Sequence, residues 1–179
     1  GVGKTTLLKK VNNALLQGDK FGIKYMIWVV VSKEFQLKKV QADVAKALAL
    51  KLKDEDDESE HARDIYNYLK DRSFLLFLDD VWEYIDLVKV GIPDPRADTS
   101  SSSSSSQTKR IQKVILTTRL KKVCGSMGAD KIIKVECLNP VDAKALFKKT
   151  LGEGNLQFNS VIHNLVEKVI EECGGLPLA

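Results

Sequence analysis

Cysteine is scarce in this 179-residue sequence: three residues, Cys124, Cys137 and Cys173, far apart and odd in number. They form no metal-ligand spacing, and they point to reduced thiols in an intracellular protein. Histidine is scarcer still. His61 and His163 are the two present, and neither has a partner pattern, so each reads as a surface or satisfied structural residue. Aromatic residues make up only 7%. No basic block is interleaved with them, so the net charge of +4 is no sign of a nucleic-acid platform. No apolar run reaches membrane-spanning length, and no signal peptide is visible.

One more absence is informative. The chain opens on Gly1-Val2-Gly3-Lys4-Thr5-Thr6, which fits only the second half of the phosphate-loop signature G-x-x-x-x-G-K-[ST]. The first glycine, the two residues after it and the preceding strand are missing. The sequence therefore reads as a fragment of something longer, beginning inside its own site.

What is present of the loop has a defined chemistry. Glycines let consecutive backbone N–H groups turn towards phosphate oxygens. The helix that follows adds unpaired N-terminal donors and the positive end of its dipole. Lys4 would reach the β- and γ-phosphates, the Thr5 hydroxyl would ligate Mg²⁺, and Thr6 would hydrogen-bond the α-phosphate. A glycine turn ahead of an ordinary helix has the same look, so the residues downstream decide.

With 44% hydrophobic residues the chain is globular, long enough for one domain and part of another. Lys4 to about Gln17 reads as a helix with Leu7, Leu8, Val11 and Leu15 on one face and Gly18 as its stop. The run from Tyr25 to Val31 reads as a strand buried on both faces. Leu37, Val40, Val44, Leu48 and Leu52 recur at helical spacing. The acidic run Asp54 to Glu58 reads as a solvated loop, and a third helix is expected over about His61 to Asp71. Phe74 to Asp80 is a buried strand ending in two carboxylates. Residues 98–108 are dominated by serine, unbroken from Ser100 to Ser106, and read as a flexible insertion.

Val114 to Thr118 is another short strand, followed at once by Arg119. A short helix is expected from Lys121 to Met127, and Ile132 to Val135 is read as the last strand. Beyond Glu136 the pattern is helical. Asn139 caps a helix with Pro140 in its first turn. A final helix starts near Ser160, with Ile162, Leu165, Val166, Val169, Ile170 and Cys173 as its inward stripe. Gly174-Gly175 ends it. Alternating strands and helices predict an α/β fold with a parallel sheet and helices on both faces.

Three features converge with the loop. Asp79-Asp80 ends an apolar strand. One carboxylate there can hold Mg²⁺ and the next can position or deprotonate a water. Thr117-Thr118-Arg119 ends another strand on the same side of the sheet, where open α/β folds bind ligands. A guanidinium there can pair with a terminal phosphate, although a surface arginine after a strand is the plainer alternative. The third feature, Gly174-Gly175-Leu176-Pro177-Leu178-Ala179, is by itself only a helix terminator and an apolar turn.

Taken in order and at these distances, G-V-G-K-T-T, L-L-F-L-D-D-V-W, K-V-I-L-T-T-R and G-G-L-P-L-A resemble the nucleotide-binding NB-ARC domain of plant disease-resistance proteins. These are intracellular immune receptors with C-terminal leucine-rich repeats. The segments Ile27 to Ser32 and Leu138 to Phe147 resemble further motifs of that domain, so the resemblance covers essentially the whole chain. It implies a P-loop NTPase-type sheet lacking its first strand, over residues 1–136, followed over 137–179 by the start of an α-helical subdomain.

It also implies roles. Gly1, Val2, Gly3, Lys4, Thr5 and Thr6 would bind ATP or ADP. Thr5 and Asp79 would serve Mg²⁺. Asp80 would be the catalytic base, Arg119 the γ-phosphate sensor, and Pro177 would pack near the adenine. Trp82, directly after D-D-V, resembles the subclass with an N-terminal coiled coil. The implied partners are the coiled-coil and repeat domains of the same protein, and a second copy when activated. The leading function is an ATP/ADP switch with slow hydrolysis in defence signalling. Its rivals are a P-loop ATPase or phosphotransferase with metabolic turnover and a non-hydrolysing nucleotide-binding scaffold.

Overall fold

The computed structural model describes residues 1–18, 22–53, 57–95, 110–152 and 160–178. The chain forms two compact units, one of Leu8–Asp130 and one of Gly1–Leu7 with Lys131–Ala179. The serine-rich insertion at 98–108 lies outside the described residues, as do Asp54 to Asp56 of the acidic run.

The larger unit is built on three parallel strands, β1 (Tyr25–Val30), β2 (Phe74–Val81) and β3 (Gln112–Thr118), in the order β1-β2-β3. Pairing runs in step from Tyr25↔Phe74 to Val30↔Asp79 and from Phe74↔Gln112 to Leu78↔Leu116. All three strands therefore finish at the same edge. Side chains alternate across the sheet. Ile27, Val29, Phe74, Leu76 and Leu78 join one core with Val40 and Val44 of helix α2 (Leu37–Ala47) and Ile65 and Leu69 of α3 (Glu58–Leu69). Leu75 and Phe77 face the other way, with Leu8 of α1 (Lys4–Gln17), Ile23 and Trp28. Helices thus cover both faces, and the fold is the expected α/β type.

Several sequence expectations need correction. The apolar run from Tyr25 predicts burial on both faces, but β1 stands at the edge of the sheet and leaves Val30 exposed. The central, doubly buried strand is β2. Helix α2 stops at Ala47 although the apolar period continues to Leu52. Ala49 takes a left-handed φ of 54°, and Leu50 N–H closes the end on Ala45 O at 2.9 Å, a Schellman-type stop. Leu52 packs on the core from the coil beyond. Helix α3 starts at Glu58, not near His61, because Asp57 caps it and accepts from Ser59 N and Glu60 N, each at 2.9 Å. These bonds hold the Asp57 carboxyl below its ordinary range, the Ser59 hydroxyl contributing most. His61 is a buried structural residue whose Nε2 meets Lys53 O at 2.9 Å.

A short helix, α4 (Leu87–Val90), escaped sequence reading. It ends on Gly91 at φ 92°, where a Cβ would fall 2.3 Å from Ala62 O, so only glycine fits. Gln41, fully buried on α2, donates to Glu58 O at 2.7 Å and Lys89 O at 2.9 Å, which ties α2 to the start of α3 and to α4. Helix α5 (Lys121–Ser126) follows β3 and seats Val123 in the core.

In the other unit, α6 (Pro140–Leu151) begins under an Asn139 cap on Asp142 N, and α7 is Ser160–Glu172. Lys144 pairs with Glu167 between them. The composition of residues 132–135 predicts a strand, but they carry no strand pairing, and Ile133 is 71% exposed. An extended segment becomes a strand only beside a hydrogen-bonding neighbour, and none lies beside it among the described residues. Within the expected inward stripe of α7, Ile170 is buried but Leu165 and Val169 are exposed. No helix among the described residues is long and apolar enough to cross a membrane.

Candidate functional site

The C-terminal edge of the sheet gathers three of the residues singled out from sequence. Strand β2 carries Asp79-Asp80 just before its last residue, Val81, and β3 leads into Arg119. The ladder is regular to Leu78↔Leu116 and resumes at Val81↔Thr118. Asp79 and Asp80 therefore stand opposite the single residue Thr117, which makes this a β-bulge. Asp80 takes a left-handed φ of 56°, a conformation that aspartate adopts more readily than most residues. The bulge is stitched by one hydroxyl. Thr117 Oγ1 accepts from Asp80 N at 2.9 Å and donates to Asp79 Oδ1 at 2.6 Å. A backbone donor displaced from the ladder and a carboxylate only 3% exposed are satisfied by the same group, as buried polar groups require.

The bulge turns the Asp80 side chain towards different partners. Its Oδ2 accepts from Trp82 Nε1 at 3.1 Å, and its Oδ1 accepts from Arg119 Nε at 3.4 Å. The Arg119 guanidinium carbon lies 5.3 Å from the centre of the Trp82 ring, and Lys33 Nζ lies 5.7 Å from the same ring. Arg119 remains 64% exposed, so its pair with Asp80 contributes at most about 1 kcal/mol. Thr118 turns the chain after the strand by accepting from Leu120 N at 3.0 Å. Asp79, Asp80 and Arg119 are thus brought into one cluster. Sequence reading gave no role to Thr117 or Lys33 and took Trp82 only as a mark of subclass. The signal for Thr117 was available, since a hydroxyl directly opposite paired carboxylates is a natural bridge. For Lys33 there was none.

The loop residues belong to the other unit. Gly3 takes φ 92°, and α1 starts directly after it, with Leu7 N–H on Gly3 O at 2.8 Å. The N-terminal end of a helix is where backbone N–H groups and the positive dipole end can meet an anion. Pro177 and Leu178 lie against the loop. A Cβ on Gly1 would fall 2.6 Å from Leu178 Cδ1, and one on Gly3 would fall 3.9 Å from Pro177 Cγ. The G-G-L-P-L segment is itself anchored. Leu138 N–H bonds Gly175 O at 2.8 Å, and a Cβ on Gly175 would fall 2.2 Å from Leu138 O. The structure therefore brings Gly1, Gly3 and Pro177 together, while Val2, Lys4, Thr5 and Thr6 continue the loop into α1.

These residues fit a nucleotide and its metal in kind. The loop is backed by Pro177 and Leu178 with no room for a side chain at Gly1. Thr5 in this unit and Asp79 in the other each carry a hard oxygen of the kind that Mg²⁺ takes. A hollow of about 520 Å³ lined by Gly22, Lys24, Asn67, Asp71, Arg72 and Ser73 lies at the opposite edge, where β1 and β2 begin, and includes none of the candidate site residues.

Comparison with known proteins matches residues 1–157 to the NB-ARC domain. Disease resistance protein UNI of Arabidopsis thaliana is 43% identical over 182 residues, which cover 100% of this chain and 19% of that protein. Disease resistance protein RPS5 of the same plant is 40% identical over 182 residues, with the same coverage of 100% and 19%. A probable disease resistance protein of that plant is 44% identical over 182 residues, covering 100% of this chain and 18% of its own length. The chain spans about a fifth of the length of these curated relatives.

Proposed function

The chain belongs to the NB-ARC domain family, and from that premise we propose that it is the ATP/ADP-binding switch module of a plant immune receptor. In this reading residues 1–136 hold the nucleotide and 137–179 open the helical subdomain. The coiled-coil and repeat domains of the cytoplasmic receptor are its partners, and its activated form assembles with further copies. The observation that carries the reading is the cluster of Asp79, Asp80, Thr117 and Arg119 at the C-terminal edge of the sheet.

Each residue has a task. The loop N–H groups and Lys4 bind the phosphates. Thr5 and Asp79 would hold Mg²⁺, which would neutralise phosphate charge. Thr117 keeps the Asp79 carboxylate oriented. Asp80 accepts a proton from the attacking water, and Arg119 pairs with the terminal phosphate. A switch requires that ATP and ADP differ in affinity for two arrangements of the protein. A cation that meets only the terminal phosphate supplies that difference.

The test is nucleotide binding and turnover of the full-length receptor. Tight ADP binding with slow hydrolysis is expected. Asp79→Ala should weaken Mg²⁺-dependent binding, and Asp80→Asn should spare binding and slow hydrolysis. Rapid steady-state turnover would favour a metabolic ATPase, and no hydrolysis at all would favour a scaffold.

A further inference from the structure

We propose that Trp82 is a positioning residue that sets two groups at once. Its ring face holds the Arg119 guanidinium, and its N–H holds the Asp80 carboxylate. The inference rests on the reading of Arg119 as terminal-phosphate sensor and Asp80 as hydrolytic base.

The three side chains close a triangle. Trp82 Nε1 donates to Asp80 Oδ2 at 3.1 Å, Arg119 Nε donates to Asp80 Oδ1 at 3.4 Å, and the guanidinium carbon stands 5.3 Å from the indole. An exposed arginine otherwise explores many rotamers and must give up that freedom on meeting a phosphate. Here the Nε–H is taken by Asp80 and the guanidinium carbon stands over the Trp82 ring. The Nη–H donors take no part in that bond, so they stay available to a second anion. Lys33 Nζ, 5.7 Å from the same ring, places another cation at this edge. Tryptophan has the strongest cation-binding face of the side chains and also carries a donor. Neither phenylalanine nor leucine combines the two.

That chemistry makes the two functions separable. Phenylalanine keeps a face and loses the donor, whereas leucine loses both. In the full-length receptor, ATP and ADP affinities would be measured by calorimetry with Mg²⁺, and hydrolysis in single turnover. Trp82→Phe should keep the ATP-over-ADP ratio and slow hydrolysis. Trp82→Leu should lower that ratio by roughly two- to thirtyfold, the span of a cation–π contact. Arg119→Ala should lower it at least as far, and the double variant Trp82→Leu/Arg119→Ala no further, because the two act as one unit. Unchanged ADP affinity reports an intact fold.

If Arg119→Ala lowers the ratio and Trp82→Leu does not, this inference is overturned and the sensor reading stands. If Arg119→Ala leaves the ratio unchanged, the sensor reading itself fails and takes this one with it. Should Trp82→Leu lose ADP binding through misfolding, Trp82→Phe decides alone. Slowed hydrolysis at the wild-type ratio supports the role, and unchanged hydrolysis overturns it.

Discussion

Strand β2 and the helix pair α6/α7 use apolar residues in opposite ways. In β2 every residue from Phe74 to Asp79 is buried, and Val81 with them. In α6 no residue is buried, and in α7 Leu165 is 62% exposed. A central strand gains hydrogen-bonded neighbours on both sides and helices on both faces. A pair of helices covers only the seam between them. Apolar spacing therefore marks which face of a helix is able to be covered, and says nothing of whether this chain covers it.

The largest expected effect tests that contrast directly. Phe77→Ala should destabilise the chain by about 3–5 kcal/mol, the usual cost of removing a buried aromatic ring, whereas Leu165→Ala should stay within about 0.5 kcal/mol. Urea unfolding measures both, and similar losses would erase the distinction. Next comes the loop of the helical unit. In the full-length protein Lys4→Ala should weaken nucleotide binding by about 1.5–3 kcal/mol, the range of a charge-assisted contact. Unchanged ADP affinity in calorimetry would refute the assignment. On the sheet side, Thr117→Val should cost about 1–2 kcal/mol by removing the hydroxyl that stitches the bulge, and Thr117→Ser should restore most of it. A silent Thr117→Val would mean that the bulge holds without its bridge.

The smallest effect is a pH dependence at the cap of α3. The Asp57 carboxyl titrates below its ordinary value of 3.8 in the folded chain, chiefly through Ser59. Its stabilising contribution is therefore complete above the unfolded value. It is lost as pH falls from about there through the lower folded value. Amide exchange at Ser59 and Glu60 should quicken over that acid range, and Asp57→Ala should abolish the pH dependence.

Much of the sheet was legible in the sequence because each strand is a short apolar run with a sharp end. Phe74 to Val81 could hardly be read otherwise. The caps at Asn139 and the stop at Gly174-Gly175 were legible for the same reason, being local chemistry. What failed depended on neighbours. Val30 looks as buried as Val29 until β1 is known to lie at an edge. Ile132 to Val135 has the composition of a strand, but composition supplies no partner. The end of α2 turned on a left-handed alanine, a residue with no propensity to announce it. At the site, Asp79 and Asp80 were found by type and position. The bulge that sets them apart was not, because adjacent carboxylates read alike in a regular ladder and in a broken one.

The left-handed backbone at Asp80 also bears on how this position can be probed genetically. Asparagine and glycine tolerate such a φ, and asparagine keeps the shape of the side chain while removing its charge. Alanine, valine or any β-branched residue would add conformational strain of about 1–3 kcal/mol to the loss of the carboxylate. An allele series at this codon therefore sorts itself twice, once by charge and once by backbone. Asn against Val at position 80 measures the second quantity with the first held fixed. A phenotype seen with Val alone would belong to the bend in the chain and not to the acid it carries.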